Sequence, residues 1–331
     1  MSEQRREPQP LTSVTQQGAN PGGRGEVRMV PEEEVRNYYG RAVLKEPTWT
    51  WEIPSYFFAG GLAGASSGLA LTARLAGNDK LARRALLAAL GGATVSPVLL
   101  ISDLGRPDRF YNMLRVFKPT SPMSMGTWIL TAFGPSAGIA AASDILAIFP
   151  RLGRLSETVA ALLGPALATY TAVLIADTSV PVWHEARREL PLVFAASSAG
   201  SAGAAAAILT PIEDAGPARR LAVGGALLEV GAVELMKRRL GKLLAEPYEG
   251  GKPKRYDRLA KALSGLGAVV TAFGGRKWRS GAVAGGALIL AGAVCERWSV
   301  YEAGFTSSRD PKYTIMPQRE RLESRNGARG Q

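Results

Sequence analysis

Three ionisable side chains follow one another at intervals of seven residues in the middle of the chain. Tyr170, Asp177 and His184 would lie along one stripe of an unbroken helix, with steps of about 10 Å along its axis. A phenol, a carboxylate and an imidazole in such a row could carry protons between water and a buried site. Pro181 argues against this interpretation, because proline ends or kinks a helix. The alternative is that Tyr170 packs in the core and the other two residues mark a helix end.

A second candidate site begins at Glu52, which lies in the string Trp-Thr-Trp-Glu-Ile-Pro, with Tyr56 one helical turn later. An acid at a helix N-terminus is stabilised by the helix dipole, and Trp and Pro are common at membrane interfaces. A structural role therefore explains these residues as well as a functional one. The functional alternative is a carboxylate that exchanges protons with a bound ligand.

The third candidate is the segment 103–122, which mixes basic and aromatic residues. Asp103, Arg106 and Arg109 lie at its start. Basic side chains that reach toward water from a membrane boundary account for such a composition. A docking surface for a soluble partner accounts for it equally well, and the residues alone do not separate the two.

Histidine and cysteine are too few for an electron-carrying metal centre. The chain has one histidine, His184, and one cysteine, Cys295, which excludes an internal disulfide, a haem held by two histidines and a cysteine-ligated iron–sulfur cluster. The formal net charge is +12, but the basic residues form short clusters between apolar runs. The positive-inside bias of membrane proteins explains that pattern better than nucleic-acid binding.

These candidates must be positioned by helices, because long uncharged runs dominate the chain. At about 1.5 Å per residue, runs of about 20 residues can cross a hydrocarbon layer of about 30 Å. Five runs are long and three are shorter or interrupted by acids. The five are Ile53–Ala73, Ala85–Ser102, Pro119–Ser143, Thr158–Ala176 and Leu190–Ile212, and the three are Leu221–Met236, Ala262–Gly275 and Ser280–Cys295.

The runs predict an all-α integral membrane protein with eight transmembrane helices, arranged as two four-helix bundles, with six or seven spans as alternatives. Residues 1–37 are predicted to form a disordered tail without a signal peptide, 38–305 the membrane domain and 306–331 a polar C-terminal tail. An even count places both termini on one side. Basic loops favour the cytoplasm for that side, although clusters at Arg83 and Arg276 favour the opposite orientation.

Glycines and single acids within the runs have structural interpretations. The spacing of Gly60, Gly64 and Gly68, and of Gly281 and Gly285, predicts close helix packing. Asp144 and Glu229 are each expected to pair with an arginine, because an unpaired charge inside a membrane is costly.

The string Asp103-Leu-Gly-Arg-Pro-Asp-Arg-Phe, followed by Phe117-Lys-Pro-Thr-Ser-Pro-Met-Ser, resembles the signature loop of the NrfD family of polysulfide reductase-like membrane subunits. The segment from Ile53 to Gly64 resembles the first helix of that family. Tyr170-Thr-Ala-Val-Leu-Ile and the stretch from Pro181 to His184 resemble the fourth helix, and Arg187 to Ala207 resembles the fifth. Ala172 and His184 depart from the family pattern, in which glycine and asparagine are common.

The resemblance implies an eight-helix anchor subunit in the cell membrane, without its own haem or iron–sulfur cluster, that binds menaquinone or ubiquinone. It implies a ferredoxin-like partner with four iron–sulfur clusters and a catalytic subunit of the molybdopterin type. Glu52, Tyr56, Tyr170 and Arg106 are then the candidate quinone contacts, and Tyr170, Asp177 and His184 the candidate proton-transfer groups. Asp103, Arg106 and Arg109 are the candidate docking residues. A secondary transporter or proton-translocating protein without a redox role is the alternative function, and a purely structural anchor that has lost quinone binding is a third. Whether the chain is itself an enzyme stays open.

Overall fold

A computed structural model describes residues 43–329, with side chains as far as residue 323. The predicted tail over residues 1–37, and the start of order expected near Tyr38, lie outside this part of the chain. Within it the chain is helical and contains no β-strand, as the apolar runs predict. The α-helices are α1 (Glu52–Leu75), α2 (Asp79–Ser102), α3 (Pro122–Leu146), α4 (Pro150–Ala176), α5 (Pro181–Glu185), α6 (Leu190–Leu209), α7 (Gly216–Ala245), α8 (Gly251–Val269), α9 (Arg279–Arg309) and α10 (Lys312–Arg329).

Shorter helical turns connect some of these helices. A 3₁₀ helix over Pro107–Arg115 joins α2 to α3, a second covers Glu246–Glu249, and a π-helical turn over Val270–Gly274 ends α8. Gly241 interrupts α7 with a φ of 70° and a ψ of 179°. Glycine adopts this conformation readily because it has no Cβ.

Each predicted apolar run lies on a long helix. Five helices, namely α2, α3, α4, α6 and α9, are long and apolar enough to cross a membrane by their length and composition alone. Helix α1 is not among them although its run is uncharged, since glycine and serine make up much of its sequence. Helices α7 and α8 carry charged residues along their length. The eight-span count therefore stays a prediction.

Helix α1 lies between several others, packing against α2, α4 and α6. Further extensive contacts join α3 to α4, α6 to α7, α8 to α9 and α6 to α9. The core that these contacts enclose includes Tyr56, Phe57, Phe133 and Phe194, each at most 1% exposed. Helix α1 thereby carries its N-terminal aromatic residues into the centre of the fold.

The predicted glycine pattern contributes unequally to this packing. A Cβ on Gly64 would overlap the carbonyl oxygen of Gly164 in α4, whereas a Cβ on Gly68 would meet nothing within 4 Å. The nearest contact at Gly60 is an ordinary one of 3.7 Å. Gly281 and Gly285 both lie against the backbone at the end of α8. Close packing against a neighbouring helix backbone is therefore confirmed for Gly64, Gly281 and Gly285. Gly68 has no such neighbour among the described residues.

Charged residues connect the four helix ends farthest from the 3₁₀ loop. Arg74 Nε donates to Glu157 Oε2 at 2.6 Å, and its terminal nitrogen lies 3.3 Å from Asp144 Oδ1. Arg83 Nε contacts Asp144 Oδ2 at 2.7 Å. The expectation that Asp144 pairs with an arginine is confirmed. This network ties α1, α2, α3 and α4 together at one end.

Large apolar side chains also cover the outside of the fold. Leu75 is 80% exposed, Leu162 and Phe273 are 74% exposed, and Leu228 is 67% exposed. A water-soluble monomer rarely presents so much apolar surface. Contact with lipid tails accounts for it.

Candidate functional site

A cavity of about 120 Å³ opens between α1, α2, α3 and α4, at the end that holds the 3₁₀ helix. Its walls are mainly aromatic and aliphatic, with a few polar groups, which is the usual character of a small-molecule site. The lining residues are Trp49, Ile53, Tyr56, Phe57, Leu100, Asp103, Leu104, Met113, Met123, Thr127, Tyr170 and Leu174.

Two tyrosines that the sequence singled out meet in this cavity. The rings of Tyr56 and Tyr170 are 6.4 Å apart between centroids and inclined by 64°. Tyr56 is 1% exposed, and its hydroxyl has no hydrogen-bond partner within the described part of the chain. Burying an unpartnered hydroxyl costs about 1–3 kcal/mol. A ligand oxygen in the cavity would supply the missing partner.

Gly126 of α3 positions the ring of Tyr170. A Cβ added to Gly126 would fall on that ring, with 2.6 Å to Cδ2 and 2.8 Å to Cζ. The ring of Tyr170 therefore occupies the space that a side chain at position 126 would take. The sequence reasoning missed Gly126, because a single glycine in an apolar helix carries no signal until its neighbour across the helix interface is known.

A short hydrogen-bonded chain leads from the cavity wall to the start of α1. The hydroxyl of Thr50 is 2.9 Å from Asp103 Oδ1 and also contacts Glu52 Oε2. The backbone N–H of Thr50 donates to the same Asp103 oxygen at 3.2 Å. The Thr50 hydroxyl has one hydrogen and can donate it to only one of the two carboxylates. The other contact is a hydrogen bond only if that carboxyl carries a proton and donates it to the Thr50 oxygen. The predicted contact Glu52 is half-buried and reaches the cavity through Thr50 and Asp103.

Asp177 and His184 do not continue the stripe of Tyr170. Helix α4 ends at Ala176, and α5 begins at Pro181 after Val180, which has an extended backbone. Both side chains are exposed, neither lines the cavity, and His184 Nδ1 lies 3.2 Å from the carbonyl oxygen of Ala176. The condition of an unbroken helix fails because α4 ends at Ala176, and Pro181 takes the first position of the next helix, where its missing N–H is tolerated. Their role in proton delivery stays a prediction.

Arg106 and Arg109 lie on the 3₁₀ loop and are exposed. Neither residue lines the cavity, although Asp103, three residues earlier than Arg106, does. Phe110 and Tyr111 of the same loop are 43% and 54% exposed. The loop therefore presents basic and aromatic side chains outward beside the cavity, and its docking role stays a prediction.

A second group of polar side chains is buried between α6, α7 and α9. Arg297 donates to Glu296 Oε2 at 3.1 Å and to the carbonyl oxygen of Phe194 at 3.0 Å. Glu229 is 2% exposed, and neither of its oxygens has a hydrogen-bond partner in the residues that the structure describes. Arg297 is the arginine that acts electrostatically on Glu229, as expected of this acid, but the direct salt bridge of Arg297 is with Glu296.

Aromatic rings connect this buried pair to the cavity. The Arg297 guanidinium lies over the ring of Phe194 at 3.7 Å. The ring centroid of Phe194 is 5.8 Å from that of Phe57, which lines the cavity. Two packed rings therefore lie between Arg297 and the cavity.

Among the described residues no group of three or more His, Cys, Asp or Glu side chains could hold a metal ion. Cys295 is a free, half-buried thiol on α9. The cavity itself offers phenols, a carboxylate and a hydroxyl. These groups can donate and accept hydrogen bonds, and the carboxylate can accept or release a proton.

These features define a helical membrane protein with a small cavity beside one group of helix ends. A family model described as "Polysulphide reductase, NrfD" matches residues 42–230, which is more than half of the chain. The chain belongs to the NrfD family. The resemblance of the loop after α2 to this family is confirmed.

Family membership and the apolar helices make the chain a multi-pass integral membrane protein. It is a membrane anchor subunit of the kind that works with other redox subunits. A search of curated proteins finds no match to the sequence.

Proposed function

We propose that this chain is the quinone-reactive anchor subunit of a multisubunit oxidoreductase, passing electrons between an iron–sulfur partner subunit and the membrane quinone pool. The observation that carries the proposal is the cavity in which Tyr56 presents a buried hydroxyl that has no partner among the described residues. The head group of menaquinone or ubiquinone is a planar, apolar ring with two carbonyl oxygens. Such a ring fits between aromatic walls, and its oxygens accept hydrogen bonds from the phenols.

Tyr56 and Tyr170 are the proposed quinone contacts. A phenol donates to a quinone carbonyl and accepts from a quinol hydroxyl, so the same side chain can hold both redox forms. Full reduction of the quinone consumes two electrons and two protons. The clusters of the iron–sulfur partner subunit are proposed to exchange these electrons with the quinone.

Protons for this reaction are proposed to travel along Glu52, Thr50 and Asp103. Asp103 lines the cavity and Glu52 is half-buried at the start of α1, so the chain of contacts connects the site with the edge of the fold. The Thr50 hydroxyl touches both carboxyls and can pass a proton between them by rotating.

Asp177 and His184 are proposed as a second group of proton carriers at the exposed end of α4. Arg106 lies outside the cavity lining, and its contact with the quinone remains part of the proposal.

The 3₁₀ loop beside the cavity is proposed to dock the iron–sulfur subunit through Asp103, Arg106 and Arg109. Electron transfer requires a short distance between cluster and quinone, and this loop is the exposed surface next to the site. The partner is proposed to have four clusters and to connect to a catalytic subunit of the molybdopterin type.

The eight long helices are proposed to cross the membrane as two bundles, α1–α4 and α6–α9, within a membrane domain over 38–305. The even number of crossings places the quinone cavity and both termini at the same membrane face. Residues 1–37 and 306–331 are proposed as extramembrane tails, the second of which includes α10.

Two tyrosine variants test the quinone site in the assembled complex. We expect Tyr170→Phe and Tyr56→Phe to lower quinol-linked turnover about tenfold or more, because each removes a hydrogen bond to the reacting oxygen. Dye-linked activity of the catalytic partner should stay at the parental level. Tyr256→Phe is the matched control, since Tyr256 packs on Trp298 away from the cavity. Parental quinol-linked turnover in both cavity variants would reject the site.

A further inference from the structure

A groove of about 520 Å³ lies at the other end of the fold, between the start of α7 and the π-helical turn after α8. Three arginines line it, Arg219 and Arg220 from α7 and Arg276 from the loop before α9. The rest of the lining is small or apolar and includes Val223, Gly224 and Ala272. The groove is separate from the quinone cavity and shares no residue with it.

The three arginines have no acidic partner within the range that the structure describes. None of them forms a salt bridge there, and Arg219 donates to a backbone oxygen, that of Ile212, at 2.9 Å. Neighbouring Arg279 behaves differently, because it donates to carbonyl oxygens at the end of α6, including that of Thr210 at 2.5 Å. The donors of Arg279 are thus used by carbonyl groups at the end of α6. The other three bring like charges together, which is unfavourable unless an anion joins them.

The groove also lies where a membrane boundary is expected. It is formed at helix ends, and Trp278 and Phe273 beside it are 64% and 74% exposed. Exposed aromatic residues at helix ends are typical of the headgroup level of a bilayer. A ligand here would contact water at one end and lipid tails at the other.

We propose that this groove binds an anionic phospholipid, with the arginines on the headgroup phosphate and the start of an acyl chain against Val223 and Ala272. Arginine presents several N–H donors in a planar fork that matches phosphate oxygens. Each basic residue near an anionic headgroup contributes about 1 kcal/mol. The apolar part of the lining favours a lipid over a free anion, because inorganic phosphate would leave that surface without a partner.

The test measures binding of phosphatidylglycerol to the delipidated, detergent-solubilised full chain by native mass spectrometry. The variant Arg220→Gln with Arg276→Gln removes two charges and retains the backbone contact of Arg219. We expect phosphatidylglycerol to bind this variant about thirtyfold more weakly than the parent. Arg151→Gln with Arg154→Gln is the control, because both residues are exposed at the same end, at the start of α4.

Each outcome supports or overturns the lipid site. Selective weakening in the groove variant, with the control at the parental level, supports it. Equal weakening in both variants indicates a general surface-charge effect and overturns it. Equal binding of phosphatidylcholine overturns the role of headgroup charge, and displacement of phosphatidylglycerol by inorganic phosphate at equal concentration overturns the role of the acyl chain. Parental binding in the groove variant, or no binding by the parent, rejects the site outright.

Discussion

At the scale of residues, the cavity depends on the ring of Tyr170, which fills the space that a side chain at position 126 would occupy. Gly126→Ala would push a methyl group into the ring of Tyr170 and displace the phenol from its position. Because a shift of about 1 Å at a reacting group can lower a rate about a hundredfold, we expect quinol-linked turnover to fall at least tenfold. The measurement is steady-state quinol oxidation or quinone reduction by the complex.

A second glycine in the same helix provides the control for this variant. A Cβ on Gly134 would meet nothing within 4 Å, so Gly134→Ala should retain parental turnover. If the two alanine variants turn over equally, the geometry of Tyr170 does not govern the reaction.

Arg297 is a buried charge that contacts three groups around it. Its guanidinium contacts Glu296, the Phe194 carbonyl and the Phe194 ring, and it is 1% exposed. Removing one partner of a buried ion pair costs about 3–5 kcal/mol, because the other charge is left without compensation. We expect Arg297→Met to lower the free energy of unfolding in detergent by that amount, measured by denaturant titration.

The variant Glu229→Gln is the control for Arg297→Met in the unfolding measurement. The Glu229 carboxylate makes no direct salt bridge with Arg297, whose contact is with Glu296, and Glu229→Gln preserves the shape and the hydrogen-bonding oxygen of the side chain. We expect this variant to unfold at nearly the parental denaturant concentration. A loss as large as that of Arg297→Met would show that Glu229 is charged and balances the arginine.

At the scale of elements, the crossing of α1 and α4 depends on a backbone contact at Gly64. Gly64→Ala would place its Cβ on the carbonyl oxygen of Gly164 and force the two helices apart. Overpacking of this kind costs about 1–3 kcal/mol. We expect Gly64→Ala to lower the thermal unfolding temperature of the purified protein.

Gly68→Ala is the matched control on the same helix face, because open space surrounds that position. It should leave the unfolding temperature unchanged or slightly higher, since alanine favours a helix over glycine. Equal destabilisation by both substitutions would show that the loss comes from the helix itself and not from the crossing.

At the scale of the whole molecule, the proposed eight crossings predict two chemically separate faces. In a Cys295→Ser background, Asn112→Cys and Arg255→Cys should react with a membrane-impermeant thiol reagent from one side only. Arg151→Cys and Lys277→Cys should react only from the other side. All four positions are exposed and lie at helix ends or connections. The basic loops favour the cytoplasm for the first pair.

The labelling pattern tests whether α7 and α8 each cross the membrane. If α7 does not cross, residue 255 lies on the same face as residue 151, and if α8 does not cross, residues 255 and 277 lie on one face. Labelling of Arg255→Cys from the same side as Arg151→Cys would therefore reject the proposed arrangement.

Helices and family membership could be read from the sequence because both depend on contiguous residues. An uncharged run has to bury or shield its apolar surface wherever it folds, and the string from Asp103 to Phe110 is recognisable without knowing its neighbours. The identities of Tyr56 and Tyr170 as site candidates followed in the same way, from polar groups in apolar helices.

Tertiary structure decided which of these residues meet. Tyr56 and Tyr170 share a cavity because α1 packs on α4, whereas Asp177 and His184 leave the stripe when α4 ends before Pro181. Thr50, Gly126 and the contact of Arg297 with Phe194 could not be anticipated, since each acts through a residue distant in the chain. Spacing along one helix predicts neighbours within that helix, but contacts between helices depend on how the helices pack, and that information is spread over the whole chain.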